Sequence, residues 1–238
     1  MGPVLAGTDP WFYIVATTGL ITMVRGAVIA LFKDDLKGLL AFSTVSHLGL
    51  ITMLLGTGTT FGAMAAVFHI LNHASFKAAL FMSAGIIDHA AHTRDIRRLG
   101  GLRHLMPVTF VIATLAALSM AGIPLLNGFL SKEMMLEETL HTTLFDSPWL
   151  VPGLAVLGSL FSAAYSFRLI SHVFLGPERN DYPDHPHDPN PGLWLPPALL
   201  IIPVVGIGIP PFLGPDFVFL MACSGNRGGG GVCVPQPR

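Results

Sequence analysis

The sequence predicts an all-α fold: a polytopic membrane helix bundle of six to seven transmembrane helices, at least one of them broken. Three observations predict it. The 238-residue chain is 52% hydrophobic and only 11% charged, with a mean hydropathy of +0.64, which is too apolar for an ordinary soluble domain. Runs of about 20 apolar residues, enough helix to cross a ~30 Å hydrocarbon core, recur along most of its length. The ionisable residues inside those runs are few and fall in helical register. A formal net charge of −1 leaves no basic surface for nucleic acid.

Taken in order, residues 1–10 read as an N-terminal loop. They lack a basic n-region, and no small-residue cleavage pattern follows, so the next apolar run is a span and not a signal peptide. That first span covers about Trp11 to Phe32, with Trp11 and Tyr13 suited to the interface and Arg25 placed to snorkel toward the charged turn at 33–37. The second covers about Gly38 to Gly56 and carries Ser43, Ser46 and His47. The third, Phe61 to about Ile87, carries His69, His73 and Lys77. A loop with Arg94, Arg97, Arg98 and Arg103 follows, then a fourth span from about Leu105 to Ala121.

The stretch 122–141 reads as a broken spanning helix, because Gly122, Pro124 and Gly128 interrupt it. A further span runs from about Trp149 to Leu175. Arg168 and His172, four apart near its end, read as snorkelling side chains. A proline- and histidine-rich loop (177–191) precedes the last span, about Leu193 to Phe212. Residues 214–238 are low in complexity and rich in glycine, and read as a disordered tail. Its Cys223 and Cys233 fit no metal or disulfide pattern. Lys33 and Lys37 share a side with the four arginines, since two spans separate the loops. The positive-inside rule puts that side in the cytoplasm.

His69, His73 and Lys77 are four residues apart, so each step rotates by about 40° and the three form one stripe. An ionisable group at bilayer depth costs about 2.5–3.5 kcal/mol on insertion scales, which makes such residues rare outside ion and proton paths. Histidine titrates near neutral pH, so the stripe suits proton hopping better than simple helix packing. The spacing His69-x-x-x-His73 also matches a zinc pair, but Ile70 stands where the metalloprotease motif has glutamate and no third ligand follows. His185 and His187 read as solvated loop residues. Lys132, beyond the break and beside Glu133, fits the use of a discontinuous helix to hold charge at membrane depth. His47 reads either as a relay member or as a packing residue. No metal or cofactor site is expected.

Three segments carry a resemblance: Asp35-Leu-Lys-Gly-Leu-Leu-Ala-Phe-Ser-Thr-Val-Ser-His-Leu-Gly49, Val67-Phe-His-Ile-Leu-Asn-His-Ala-Ser-Phe-Lys-Ala-Ala-Leu-Phe-Met82 and Asn127-Gly-Phe-Leu-Ser-Lys-Glu133. Together they strongly resemble the proton-translocating antiporter-like subunits of respiratory complex I, membrane-bound hydrogenases and the multisubunit Mrp-type cation/proton antiporters. Ile87 to Gly101 and the histidine of Ser-His-Leu-Gly look most like the large A-type component of the last group. The resemblance implies that residues 11–213 are an antiporter-like transmembrane domain, the second inverted repeat with flanking helices. It implies a proton relay through His69, His73, Lys77, Lys132 and His47, and exchange of a monovalent cation, sodium by expectation, for protons. The implied setting is a hetero-oligomeric complex in the cell's inner (plasma) membrane, with the lipid bilayer and the other subunits as partners.

The glutamate-bearing helix and first lysine of the family's earlier repeat have no counterpart, so the chain reads as a fragment whose tail leaves the family pattern. The competing expectations are a non-redox proton-pumping subunit of a complex I-type NADH–quinone oxidoreductase or related hydrogenase, and a non-functional truncated remnant.

Overall fold

The computed structural model describes residues 8–177, 182 and 186–209. The glycine-rich tail with both cysteines, and His185, lie outside the described residues. Among the described residues eight α-helices follow in order: α1 (Asp9–Phe32), α2 (Leu36–Gly56), α3 (Thr60–Ala91), α4 (Leu102–Leu105), α5 (Pro107–Ala121), α6 (Asn127–His141), α7 (Leu150–Ile170) and α8 (Pro191–Gly206). A π-helical turn, Ser171–Leu175, extends α7. No strand occurs among the described residues.

Four of these elements are long and apolar enough to cross a membrane: α1, α2, α3, and α7 with its π turn. Helices α5 and α8 are apolar but shorter. Large apolar side chains face outward on the bundle, among them Ile21, Leu48, Leu71, Leu160 and Ile202, which lipid solvates and water does not.

Helices α1 and α2 pack against each other closely because small residues line their seam. A Cβ on Gly26 would lie 2.7 Å from the Ser46 backbone nitrogen, and one on Gly19 or Gly49 would collide with the facing backbone. Local chemistry sets the helix ends. Asp35 accepts the Gly38 N–H at 2.6 Å at the start of α2, and Thr59 accepts the Gly62 N–H at 2.9 Å at the start of α3. Helix α5 starts on Pro107. Asp188 reaches it from the loop before α8 and accepts from Val108 N–H, Thr109 N–H and the Thr109 hydroxyl at 2.8, 3.1 and 2.7 Å.

The two basic loops meet on one side of the bundle. Leu36 N–H donates to Arg94 O at 2.9 Å and Ile96 N–H to Asp34 O at 2.8 Å. Around this pairing Lys37 binds Asp88 at 2.6 Å, and Arg97 binds Asp95 at 3.2 Å. Side-chain and backbone hydrogen bonds from Arg97 hold the Asp95 carboxyl below its usual value of 3.8.

Two sequence expectations are corrected. The break does not lie within 122–141 as a whole. Helix α6 is continuous from Asn127, and the interruption is the segment 122–126 before it. Gly122 ends α5 with φ +84° while its N–H bonds to Leu118 and Ser119, and Leu125 also has positive φ. Gly128, by contrast, sits in the first turn of α6, pressed against the backbone of Ser119. The second correction concerns Arg168. Instead of snorkelling, its guanidinium donates to Leu31 O and Lys33 O at 2.6 and 2.7 Å and to the Asp34 carboxylate at 2.6 Å. It takes up carbonyls at the end of α1, which no intrahelical donor reaches.

Candidate functional site: a buried polar chain

The inner faces of α2, α3, α6 and α7 bring ionisable and hydroxyl side chains together in the middle of the bundle. His47, His69, His73, Lys77 and Lys132 are all buried, at 4, 0, 8, 4 and 8% exposure. Burial of so many ionisable groups is costly unless each finds a partner. The partners come from neighbouring helices more than from the stripe itself.

His47 Nδ1 on α2 lies 3.0 Å from His69 Nε2 on α3. His69 Nδ1 lies 2.9 Å from Ser131 Oγ on α6, and Ser131 donates to Gly128 O at 3.2 Å. On its other side His47 Nε2 lies 3.3 Å from the Tyr165 hydroxyl of α7. Tyr165 donates to Ser162 Oγ at 3.2 Å, and Lys132 Nζ donates to the same oxygen at 3.0 Å. A continuous chain therefore runs Ser131, His69, His47, Tyr165, Ser162, Lys132.

The three links from Ser131 to Tyr165 have two donor orders. In one, Ser131 turns its hydroxyl from Gly128 O to His69 Nδ1 and the hydrogens point on toward Tyr165; in the other, Tyr165 turns its hydroxyl from Ser162 to His47 Nε2 and the imidazoles pass their hydrogens back toward Ser131, which donates to Gly128 O. Each neutral imidazole keeps one donor and one acceptor in both.

Lys132 is placed by the break. Its ammonium donates to Ala121 O at 3.0 Å, at the last turn of α5, where unsatisfied carbonyls and the helix dipole favour a cation. Ser162 donates to Met120 O at 3.0 Å in the same turn. A Cβ on Gly122 would lie 2.8 Å from Lys132 Cδ, so the lysine stem uses the space glycine leaves. The α5–α6 junction is tied in turn to α3. Ser119 donates to Asn127 Oδ1 at 2.6 Å, and Asn127 Nδ2 donates to Asn72 Oδ1 at 3.1 Å. A small void of about 10 Å³ between His47, Ser46, Ser162 and Lys132 is the size of one water.

The predicted stripe is thus only partly a sequence of bonded neighbours. His69 joins the chain directly. The His73 ring lies 5.2 Å from His47 and 5.9 Å from His69, edge-on to Phe76, and its Nε2 has no partner among the described residues. Lys77 turns to α2, donating to Leu40 O at 3.1 Å and closely to the Ser43 hydroxyl. His47 lies at the centre of the three imidazoles. Lys132 makes no ion pair with Glu133, which is exposed. Sequence reasoning missed Tyr165, Ser162 and Ser131. Its available signal was Ser162, Tyr165 and Ser166 at helical spacing inside an apolar span.

Fold and site together define a polytopic helical membrane protein whose polar groups gather inside the bundle, around a helix interruption. Residues 2–162 match the family model described as NADH:quinone oxidoreductase/Mrp antiporter, TM, and the chain belongs to that family. It is 52% identical over 210 residues to the A/B subunit of a probable K(+)/H(+) antiporter of Rhizobium meliloti (strain 1021), covering 88% of this chain and 21% of that protein. It is 44% identical over 225 residues to the A subunit of the Na(+)/H(+) antiporter of Bacillus subtilis (strain 168), covering 86% and 28%. Among solved structures it resembles a chain of the Mrp complex from Dietzia sp. DQ12-45-1b, with TM-score 0.79 and 37% identity over 89% of this chain and 23% of that one. It also resembles a chain of respiratory complex I from Thermus thermophilus with bound NADH, with TM-score 0.74 and 25% identity over 88% and 42%. The chain spans between 21% and 42% of the length of each of these relatives.

Proposed function

We propose that this chain forms the proton-relaying part of a membrane subunit in a multisubunit monovalent cation/proton antiporter of the cell membrane, exchanging sodium for protons. The observation that carries the reading is the unbroken hydrogen-bonded chain from Ser131 through His69, His47, Tyr165 and Ser162 to Lys132. Lys132 in its neutral form accepts a proton through Ser162, and its ammonium form is held by the carbonyl end of α5. His73, with its Nε2 unsatisfied by any described residue, takes a water that connects it to the imidazole pair. Lys77 and Ser43 form a second protonatable station one helical turn beyond His73, on the side of the basic loops.

The experiment is cation-dependent collapse of a pH gradient in inverted vesicles carrying the complete complex. Lys77→Ala and Lys132→Ala are each expected to abolish it while the complex assembles. Undiminished exchange in both variants refutes the relay. A complex I-type proton-pumping role is the second reading, favoured by the similarity to the Thermus thermophilus chain. It predicts proton movement driven by quinone reduction without a requirement for added sodium or potassium.

A further inference from the structure

Glu138 is a buried carboxyl group that the relay above does not use. It is 5% exposed on α6, while Glu133 and Glu137 of the same helix are exposed. Its Oε1 accepts a close hydrogen bond from the Thr59 hydroxyl. Among the described residues its Oε2 has no hydrogen bond, and no cation pairs with it. Thr59 is exposed, in the turn between α2 and α3, at the end of the bundle opposite the two basic loops. The Thr57 hydroxyl lies 3.2 Å from that of Thr59. The carboxyl therefore lies within one hydroxyl of solvent on the far face.

The same residue faces the relay along the helix. Glu138 is seven residues from Ser131, about 10 Å along the axis, and α3 and α6 pack together over that distance. What fills the gap is small or flexible: Ala65 and Ala66 of α3 and Met135 of α6 belong to one apolar cluster, and Gly62 lines the same face of α3. Two or three waters at hydrogen-bond spacing would span it. Among the described residues no other buried ionisable side chain lies in that seam, and Asp9 and Tyr13 at the start of α1 are exposed. Helix α3 carries none before His69, and α2 none after His47. On α6 and the following loop the neighbours Glu137, His141 and Asp146 are all exposed. Lys132 is itself the far end of the chain.

We propose that Glu138 is the proton-loading carboxyl of this path at the face opposite the basic loops, exchanging protons with solvent past Thr59 and with the Ser131–His69 end of the chain across an apolar seam at Met135 that wets transiently. The inference rests on the relay reading. The proton bonds to Oε2, the oxygen Thr59 leaves free, and departs from it to a water in the seam. The carboxylate so formed is reprotonated from the surface.

The test is exchange by the assembled complex in inverted vesicles over a range of pH. Glu138→Gln keeps an acceptor for Thr59 but cannot carry a proton, and is expected to lower exchange at least tenfold with the complex intact. Exchange within twofold of the unmodified protein, with Lys132→Ala inactive in the same vesicles, overturns the role of Glu138 and leaves the relay standing. Exchange undiminished in both variants overturns the relay and this inference with it. Thr59→Val retains the carboxyl and removes the surface hydroxyl that bonds it. A shifted pH profile is expected, and an unshifted one overturns the proposal even where Glu138→Gln fails to assemble.

Discussion

His47→Leu tests the chain at its hub. Leucine fills similar space at a site only 4% exposed and cannot accept or donate. The change removes the 3.0 Å bond to His69 and the 3.3 Å bond to Tyr165 at once. Tyr165 keeps Ser162, but His69 Nε2 is left buried without a partner, a cost of about 1–3 kcal/mol. The void, large enough for one water, loses one of its polar walls. A water bypass between α2 and Lys132 is therefore closed along with the direct route. A positioned proton-transfer group contributes about 10²–10⁴-fold in rate, so exchange is expected to fall by at least 100-fold. The assay is pH-gradient collapse on addition of sodium or potassium, with assembly checked by co-purification. If His47 and His69 act in series, as the proposed relay requires, His47→Leu combined with His69→Leu should be no slower than either alone. Half-normal exchange in His47→Leu, or multiplied losses in the double variant, refutes the series chain.

Tyr165→Phe removes only the hydroxyl between His47 and Ser162; a water in the adjacent void offers a detour, so exchange should drop about tenfold, less than for His47→Leu, as the same assay reads. Gly128→Ala drives a methyl into the Ser119 backbone and should cost about 1–3 kcal/mol as an overpacked contact, with thermal unfolding of the complex lowered and exchange lost as Lys132 leaves Ala121. Asp188→Ala strips α5 of its acceptor for two backbone N–H groups and should destabilise by about 1 kcal/mol, seen as a lower unfolding midpoint. Asp95 titrates below its usual 3.8 because Arg97 bonds its carboxylate. Its contribution to the order of the loop 94–98 is present above the unfolded value and lost as pH falls through the folded one, so the unfolding midpoints of the unmodified protein and Asp95→Asn should differ at neutral pH and converge as the pH is lowered below 3.8.

The helices were legible because the signal that makes them is local. Apolar runs of spanning length mark α1, α2, α3 and α7, and Pro107 and Gly122 bracket α5. The position of the break was less legible. Gly122 and Gly128 look alike in sequence, yet one supplies a positive φ and the other a close helix approach, and only packing tells them apart. The stripe of His69, His73 and Lys77 was legible as burial and spacing, but its connections were not. Hydrogen bonds that cross from α3 to α2, α6 and α7 depend on which faces meet, and no periodicity within one helix encodes that. Arg168 shows the same limit: its register fits snorkelling, and its partner 134 residues away captures it instead.

The relay requires protons to bind Lys132 and leave it, and Lys132→Arg tests that requirement. Arginine keeps the charge and the donors toward Ala121 O and Ser162 but does not release its proton at any physiological pH. Measured as cation-dependent pH-gradient collapse in vesicles holding the intact complex, exchange should be lost in Lys132→Arg as fully as in Lys132→Ala. Exchange sustained by arginine would mean that Lys132 only positions the break, and would contradict a proton path through it.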